Sequence, residues 1–169
     1  MNDKIKALLN EQINKELYSA YLYVDIANHY DELDLDGYAN YYNVQAQEER
    51  DHALLFMKYM QSIGLKVTLE AIDKPDKVYS SVLDPLVTAA EHERYVSALI
   101  NAIYHECHEA RDYRTLKFLD WFVDEQREEE DSADTMVNRY KLFGSDPKGL
   151  YALDQEYAGR VYTAPSLVL

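Results

Sequence analysis

Gln47-Glu48-Glu49-Arg50-Asp51-His52 sits in the middle of an otherwise apolar helical stripe, and its position decides how the rest of the chain is read. Steps of three and four residues join Tyr38, Tyr42, Gln45, Glu49, His52, Phe56, Tyr59 and Ile63, the spacing of one face of an amphipathic helix. Three more stripes follow the same steps. The first in the chain runs Leu9, Ile13, Glu16, Ala20, Tyr23, Ala27, Tyr30; the third Leu86, Ala89, Glu93, Val96, Ile100, Ile103, Cys107; the fourth Leu119, Phe122, Gln126, Glu129, Ala133, Met136, Tyr140, Phe143. Each is broken at mid-length by Glu, Gln or His. Four long helices interrupted at one depth predict an all-α, four-helix bundle with a polar site inside it.

An ionised carboxylate inside such a core loses its hydration, at a cost of several kcal/mol unless something positive takes the place of water. Two carboxylates about 4 Å apart also repel by roughly 4 kcal/mol at an effective dielectric near 20. No Lys or Arg stands in any of the four stripes. A bound cation resolves both costs, so Glu16, Glu49, His52, Glu93, Gln126 and Glu129 are expected to hold metal.

Spacing describes the site further. Glu49 and His52 are three residues apart and share a helix face, and Gln126 with Glu129 repeats that offset. The interval of 33 residues from Glu16 to Glu49 recurs from Glu93 to Gln126, as in two related helical hairpins. Oxygen-rich donors with one imidazole suit divalent iron or manganese, and suit ferric iron better still, whereas structural zinc favours more Cys and His. Such a site favours oxidation of Fe(II), and two adjacent irons can pass two electrons to one oxidant molecule.

Helices are expected over 3–31, 37–63, 85–111, 114–143 and 147–158. Asn2, Asp84 before Pro85 and Asp146 before Pro147 read as N-terminal caps, with Gly64 and Gly144 at helix ends. The stretch from Gly64 to Leu83 is then a long crossover, which a bundle needs when its second and third helices run parallel. The short fifth helix carries Leu150, Leu153 and Tyr157 on one side; it is expected to meet other subunits, with folding back on its own bundle as the alternative.

At 169 residues, with 28% charged and 47% hydrophobic residues, the chain fits one globular domain, 1–169, made of the bundle over 3–143, the fifth helix and a tail over 159–169. The start, Met1-Asn2-Asp3-Lys4-Ile5, lacks the apolar run of a signal peptide and no stretch reaches the length of a membrane span, which predicts a cytoplasmic protein with no membrane partner. A net charge of −14 disfavours nucleic acid and concentrates cations. Cys107, the single cysteine, excludes an intrachain disulfide and is expected to be a buried, inert thiol.

One Glu from each of two helices with Glu-x-x-His pairs on the others is the pattern of ferritin-like di-iron proteins. Asn10-Glu11-Gln12-Ile13-Asn14-Lys15-Glu16-Leu17-Tyr18-Ser19, Gln47-Glu48-Glu49-Arg50-Asp51-His52 and Glu125-Gln126-Arg127-Glu128-Glu129-Glu130 together resemble the bacterial non-haem ferritins over nearly the whole chain. The resemblance implies that Glu16, Glu49 and His52 hold a first iron with Gln126 close by. Glu49 bridges to a second iron held by Glu93 and Glu129. Glu48, Glu125 and Glu128 take a third, more surface-facing iron, and Tyr23 stands beside the pair. It further implies ferroxidase activity, with dioxygen or hydrogen peroxide as oxidant, and a homo-oligomeric hollow shell of twenty-four subunits that stores ferric mineral. The fourth helix departs from the pattern, having no His three residues after its first ligand, so the two metal positions are expected to be unequal.

Plainer readings stand beside these. The run from Glu128 to Asp131 has the composition of a solvated acidic face, Tyr23 that of core packing, as for most of the sixteen tyrosines. Haem is not expected, because Arg50 stands where a bacterioferritin needs methionine next to its second-helix glutamate. A DNA-protecting mini-ferritin would lack the fifth helix and place its ligands between subunits. A metal-stabilised scaffold without turnover is the alternative of a different class.

Overall fold

The computed structural model describes residues 2–168; Met1 and Leu169, the outer limits of the expected domain and tail, lie outside the described residues. Five helices follow one another: α1 Asp3–Asp31, α2 Asp36–Ser62, α3 Leu83–Glu109, α4 Tyr113–Phe143 and α5 Pro147–Tyr157. No strand occurs among the described residues. α1 packs on α2 and α3 on α4 as two hairpins, α1 joins the hairpins through α3, and α5 lies on α2 and α4.

Caps explain most of the helix ends. The Asn2 side chain accepts from the Ile5 amide at 2.9 Å, and Asp146 accepts from Gly149 at 2.8 Å with Pro147 in the first turn. At the end of α2, Gly64 takes φ +76°, which lets the Gly64 amide reach Gln61 O at 3.0 Å and the Leu65 amide reach Met60 O at 2.9 Å. α3 begins earlier than expected. Ser81 Oγ accepts from the Asp84 amide at 3.2 Å while the Asp84 carboxylate accepts from the Ser81 amide at 3.1 Å, a reciprocal capping box. Asp84 therefore reaches backward from inside the helix, and Pro85 sits in the first turn, where its missing N–H leaves no bond unmade.

Residues 65–80 have no regular structure and depend on α1 for their hydrogen bonds. Asn10 Nδ2 donates to Thr68 O at 2.9 Å and Asn10 Oδ1 accepts from the Thr68 amide at 2.8 Å; Asn14 Nδ2 donates to Ala71 O at 2.9 Å. Tyr30 OH donates to Val82 O, just ahead of α3.

The apolar core is in two parts. One cluster gathers Ile5, Leu9, Ile13, Phe56, Ile100, Ile103, Leu119 and Phe122; the other gathers Leu22, Tyr30, Tyr38, Tyr42, Leu86, Met136, Leu153 and Tyr157. Cys107 is buried in the first, and burial pushes its thiol up to about 11, so it is unreactive at neutral pH. Four stripe positions differ from expectation, Ile63 and Tyr140 being only partly buried. Ser19 rather than Ala20 is enclosed, and Phe143 is half exposed because the chain turns out of the bundle at Gly144.

α5 folds back on its own chain through Leu153, Asp154 and Tyr157. The reason is an unfilled cap. Leu35, ahead of α2, makes no side-chain capping bond, and Asp154 Oδ1 accepts instead from the amides of Gly37 at 2.8 Å and Tyr38 at 3.1 Å. A β-carbon on Gly37 would lie 1.7 Å from Asp154 O, so the contact requires glycine. Asp154→Ala is expected to cost about 1 kcal/mol by loss of the cap. Gly37→Ala is expected to cost more, because the backbone of α5 must move. Thermal unfolding of both variants checks the order, and wild-type stability in Gly37→Ala would overturn the docking.

Candidate metal centre

Between the two apolar clusters lies a layer of buried polar side chains drawn from all four long helices. α1 supplies Gln12, Glu16 and Ser19, α2 supplies Gln45, Glu49 and His52, α3 supplies Glu93, and α4 supplies Gln126 and Glu129; none is more than 7% exposed. Their placement follows from the stripes, since a residue in register with the apolar face is carried into the core whatever its polarity.

Glu16, Glu49 and His52 converge, offering one ligand atom each within 4.8 Å of one another. Glu16 Oε2 and His52 Nδ1 are buried and have no hydrogen-bond partner. His52 Nδ1 lies 3.6 Å from Glu49 Oε2, an electrostatic contact too long for a hydrogen bond. Buried polar atoms rarely stay unpaired, and such atoms grouped at ligand spacing suit a cation. His52 also groups with Glu125 and Glu129 at the same spacing. Trp121 and Phe122 pack edge-on to the imidazole, at 5.5 and 5.8 Å between ring centres, and hold its plane.

The remaining carboxylates are held by donors. Tyr23 OH donates to Glu93 Oε1, and Gln126 Nε2 donates to Glu93 Oε2 at 3.1 Å. Gln45 Nε2 donates to Glu49 Oε1 at 3.1 Å and to Glu129 Oε2 at 2.8 Å, linking α2 to α4 across the layer. Gln12 Nε2 donates to Glu16 Oε1 at 2.8 Å, which leaves the other oxygen of Glu16 free for metal.

Electrostatics follow from this crowding. Burial, and then the charge of Glu49, push Glu16 and Glu93 each up to about 8, and burial with Glu93 and Glu49 raises Glu129 well above the carboxylate range. Burial raises Glu49 as well, but the contact with His52 and its charge, together with the bonds to Gln45 and Glu16, bring it below its ordinary value. Burial opposes the charge on His52, but Glu49, Glu16 and Glu129 overcome it and raise the imidazole to about 10. The layer on its own is thus one ion pair among protonated carboxyls, and a divalent cation entering it displaces protons.

A family model of the ferritin-like domain matches residues 6–143. The chain belongs to the ferritin family. It is 36% identical to the bacterial non-heme ferritin of Campylobacter jejuni over 92% of this chain and 93% of that one, and 33% identical to a bacterial non-heme ferritin of Staphylococcus epidermidis over 96% and 98%. Among solved structures, an engineered closed form of the Archaeoglobus fulgidus ferritin superposes with a TM-score of 0.94 at 37% identity, covering 96% of this chain and 99% of that one. The open-pore ferritin of the same archaeon gives 0.93 at 37% identity, covering 95% and 98%. The all-α ferritin fold expected from the stripes is the fold of this chain.

In this ferritin the six expected ligand residues share the layer, and Tyr23 joins it through Glu93. Glu48, Glu125 and Glu128 line one pocket of about 320 Å³ at the edge of the layer, with His52, Trp121, Glu129 and tail residues up to Ser166. They do not converge as Glu16, Glu49 and His52 do. Glu128 is largely exposed and contacts Arg127 at 3.3 Å, and Glu48 is bonded to Arg160 at 2.6 Å. Sequence reading missed the roles of Gln12, Gln45 and Arg160. The amides carried a signal, because Gln12 and Gln45 stand four residues before Glu16 and Glu49, one helical turn away. Arg160 carried none.

The signs of these shifts fix a pH dependence. Glu16 and Glu93 hold protons more tightly folded than unfolded, so their contribution is complete below the ordinary carboxylate range and is lost as pH rises toward about 8; that of His52 is complete below its ordinary value of 6.5 and is lost toward about 10. The metal-free protein is expected to lose stability between pH 6 and 9, and saturating Zn(II) to raise the unfolding temperature more at pH 8 than at pH 6. A metal effect independent of pH in thermal scans would count against a shared buried layer.

Proposed function

We propose that this ferritin is an iron-storage ferroxidase, and the observation that carries the reading is the buried group Glu16, Glu49 and His52 with its unpartnered ligand atoms, set beside Glu93 and Glu129. Fe(II) is the substrate. Glu16, Glu49 and His52 take one ion, Glu49 is shared, and Glu93 with Glu129 takes a second; Gln126 stands between the sides, bonded to Glu93. The positions are unequal, since only the first has an imidazole, and the reading needs no haem.

Each Fe(II) gives up one electron. Dioxygen accepts the two electrons and two protons to become hydrogen peroxide, and peroxide as oxidant accepts two electrons and two protons to become two waters. Carboxylates favour the product because they bind the harder Fe(III) more strongly. The protons that Glu16 and Glu93 release on binding Fe(II) supply the uptake by the oxidant. Gln12 and Gln45 keep Glu16 and Glu49 oriented through the change in charge, and Tyr23 holds Glu93. Glu48, Glu125 and Glu128 form the outer acidic pocket through which the oxidised ion passes.

Storage requires a shell, and we assign the subunit contacts to apolar side chains left outside this fold. Tyr151 on α5 is 65% exposed, and Leu142 and Phe143 at the end of α4 are 72% and 53% exposed. No helix among the described residues is long and apolar enough to cross a membrane, so these side chains suit protein contacts.

Glu49→Ala and His52→Ala are expected to slow Fe(II) oxidation at least tenfold, read by ferric absorbance, while the assembly elutes unchanged. Equal rates in both variants and wild type would remove the site from the reaction. After aerobic loading with excess Fe(II), hundreds of irons co-eluting with a large assembly support storage. About two or three irons per subunit with the rest precipitating would mark a metal-stabilised scaffold or a simple di-iron oxidase.

A further inference from the structure

The segment after α5 has no regular structure, yet it is fastened at several points along its length. Asn40 Nδ2 donates to the carbonyls of Tyr157, Ala158 and Arg160 at 3.2, 3.3 and 3.0 Å. Tyr162 OH donates to the Asp51 carboxylate, Trp121 Nε1 donates to Ser166 Oγ at 3.0 Å, and Leu167 packs against the first apolar cluster. Residues 159–167 thus form a strap from α2 to α4, and Thr163 to Ser166 wall the outer acidic pocket.

Arg160 is the charged residue of the strap that enters the site. Its guanidinium lies 4.0 Å over the Tyr41 ring, Nη2 donates to Glu48 Oε2 at 2.6 Å, and Nη1 donates to Gln45 Oε1 at 2.8 Å and to Tyr41 O at 3.2 Å. A guanidinium only donates, so Gln45 must present its oxygen to the strap and its amide nitrogen to Glu49 and Glu129. The same side chain therefore occupies Glu48 and orients the amide that bridges the buried layer. The pair with Glu48 is about four-fifths shielded on both sides and charge-assisted, unlike the exposed contact of Arg127 with Glu128.

We propose that Arg160 is a tethered cation that competes with metal for Glu48, so that an ion passing from the buried layer to the outer pocket gains Glu48 only when the 159–167 strap releases it. The competition is between like charges for one carboxylate. A cation within hydrogen-bonding reach of the ligand oxygen lowers the affinity of the pocket, and the strap sets how fast oxidised iron clears the buried layer. This rests on the reading that the outer pocket takes metal.

The test uses the intact, assembled, metal-free protein titrated calorimetrically with Zn(II), which is redox-inert and so reads binding rather than turnover. Arg160→Gln is expected to tighten the outer class of sites at least about tenfold, a larger shift than in the buried class, which loses only the orientation of Gln45. Arg160→Lys, which keeps the charge, is expected to stay near wild type, and the gain is expected to vanish in Arg160→Gln/Glu48→Gln. Tyr162→Phe loosens the strap without altering the charge at Glu48, and it is expected to shift the outer class the same way by a smaller factor. An outer class that is lost in Glu125→Gln but unmoved by Arg160→Gln and Tyr162→Phe overturns the role of Arg160 while leaving the pocket standing. Absence of any outer class in every variant overturns both.

Discussion

Carboxyl groups shut away from water between two apolar clusters are the constraint on which the rest of this protein depends. Desolvation makes each charge costly, and proximity makes neighbouring charges repel. The protein meets this with three devices: protons on Glu16, Glu93 and Glu129, one ion pair between Glu49 and His52, and amide or phenol donors on the remaining oxygens. None of these fully satisfies the layer. Glu16 Oε2 and His52 Nδ1 remain unpaired, and that residue of unmet valence is what a metal ion can use.

Because the polar layer adds little cohesion, stability falls to the apolar clusters on either side. The first is clasped by Phe56, Phe118 and Phe122, and the second by stacked tyrosines such as Tyr30 with Tyr42. Long helices are needed to span both clusters and the layer between them. They also place the buried polar side chains of four backbones on rigid supports. The crossover makes no regular structure of its own and borrows its hydrogen bonds from Asn10 and Asn14, so it can join parallel helices without burying unpaired backbone.

The two halves of the layer are not equivalent. In the first hairpin, Gln12 and Gln45 each hold a carboxylate from one turn away; in the second, Glu93 is held by Tyr23 and Gln126 from other helices. Only the first half has an imidazole, and His52 from that half and Glu129 from the second both line the acidic pocket beneath the strap. His52 lies 4.0 Å from Glu125 at the pocket, while Glu48 is already paired with Arg160.

Helical periodicity, legible in the sequence, was enough to give the helices, their interruption at one depth and six of the nine residues of the layer, because it carries a side chain into the core regardless of its neighbours in space. The sequence by itself also determined the caps at Asn2, Gly64 and Asp146, which are local. The tertiary structure alone decided what the layer's atoms do to one another. Gln45 spans α2 and α4, Tyr23 meets Glu93 across the bundle, and Asp154 caps α2 from α5, contacts between residues 70 to 117 positions apart that no local pattern announces. The start of α3 moved for a local reason that composition left ambiguous, since Asp84 can cap forward or reach back and only the backbone of Ser81 settles the choice. Arg160 is the extreme case. It follows the last helix in a segment without periodicity, and its place against Glu48 and Gln45 exists only because α5 turns the chain back along the bundle.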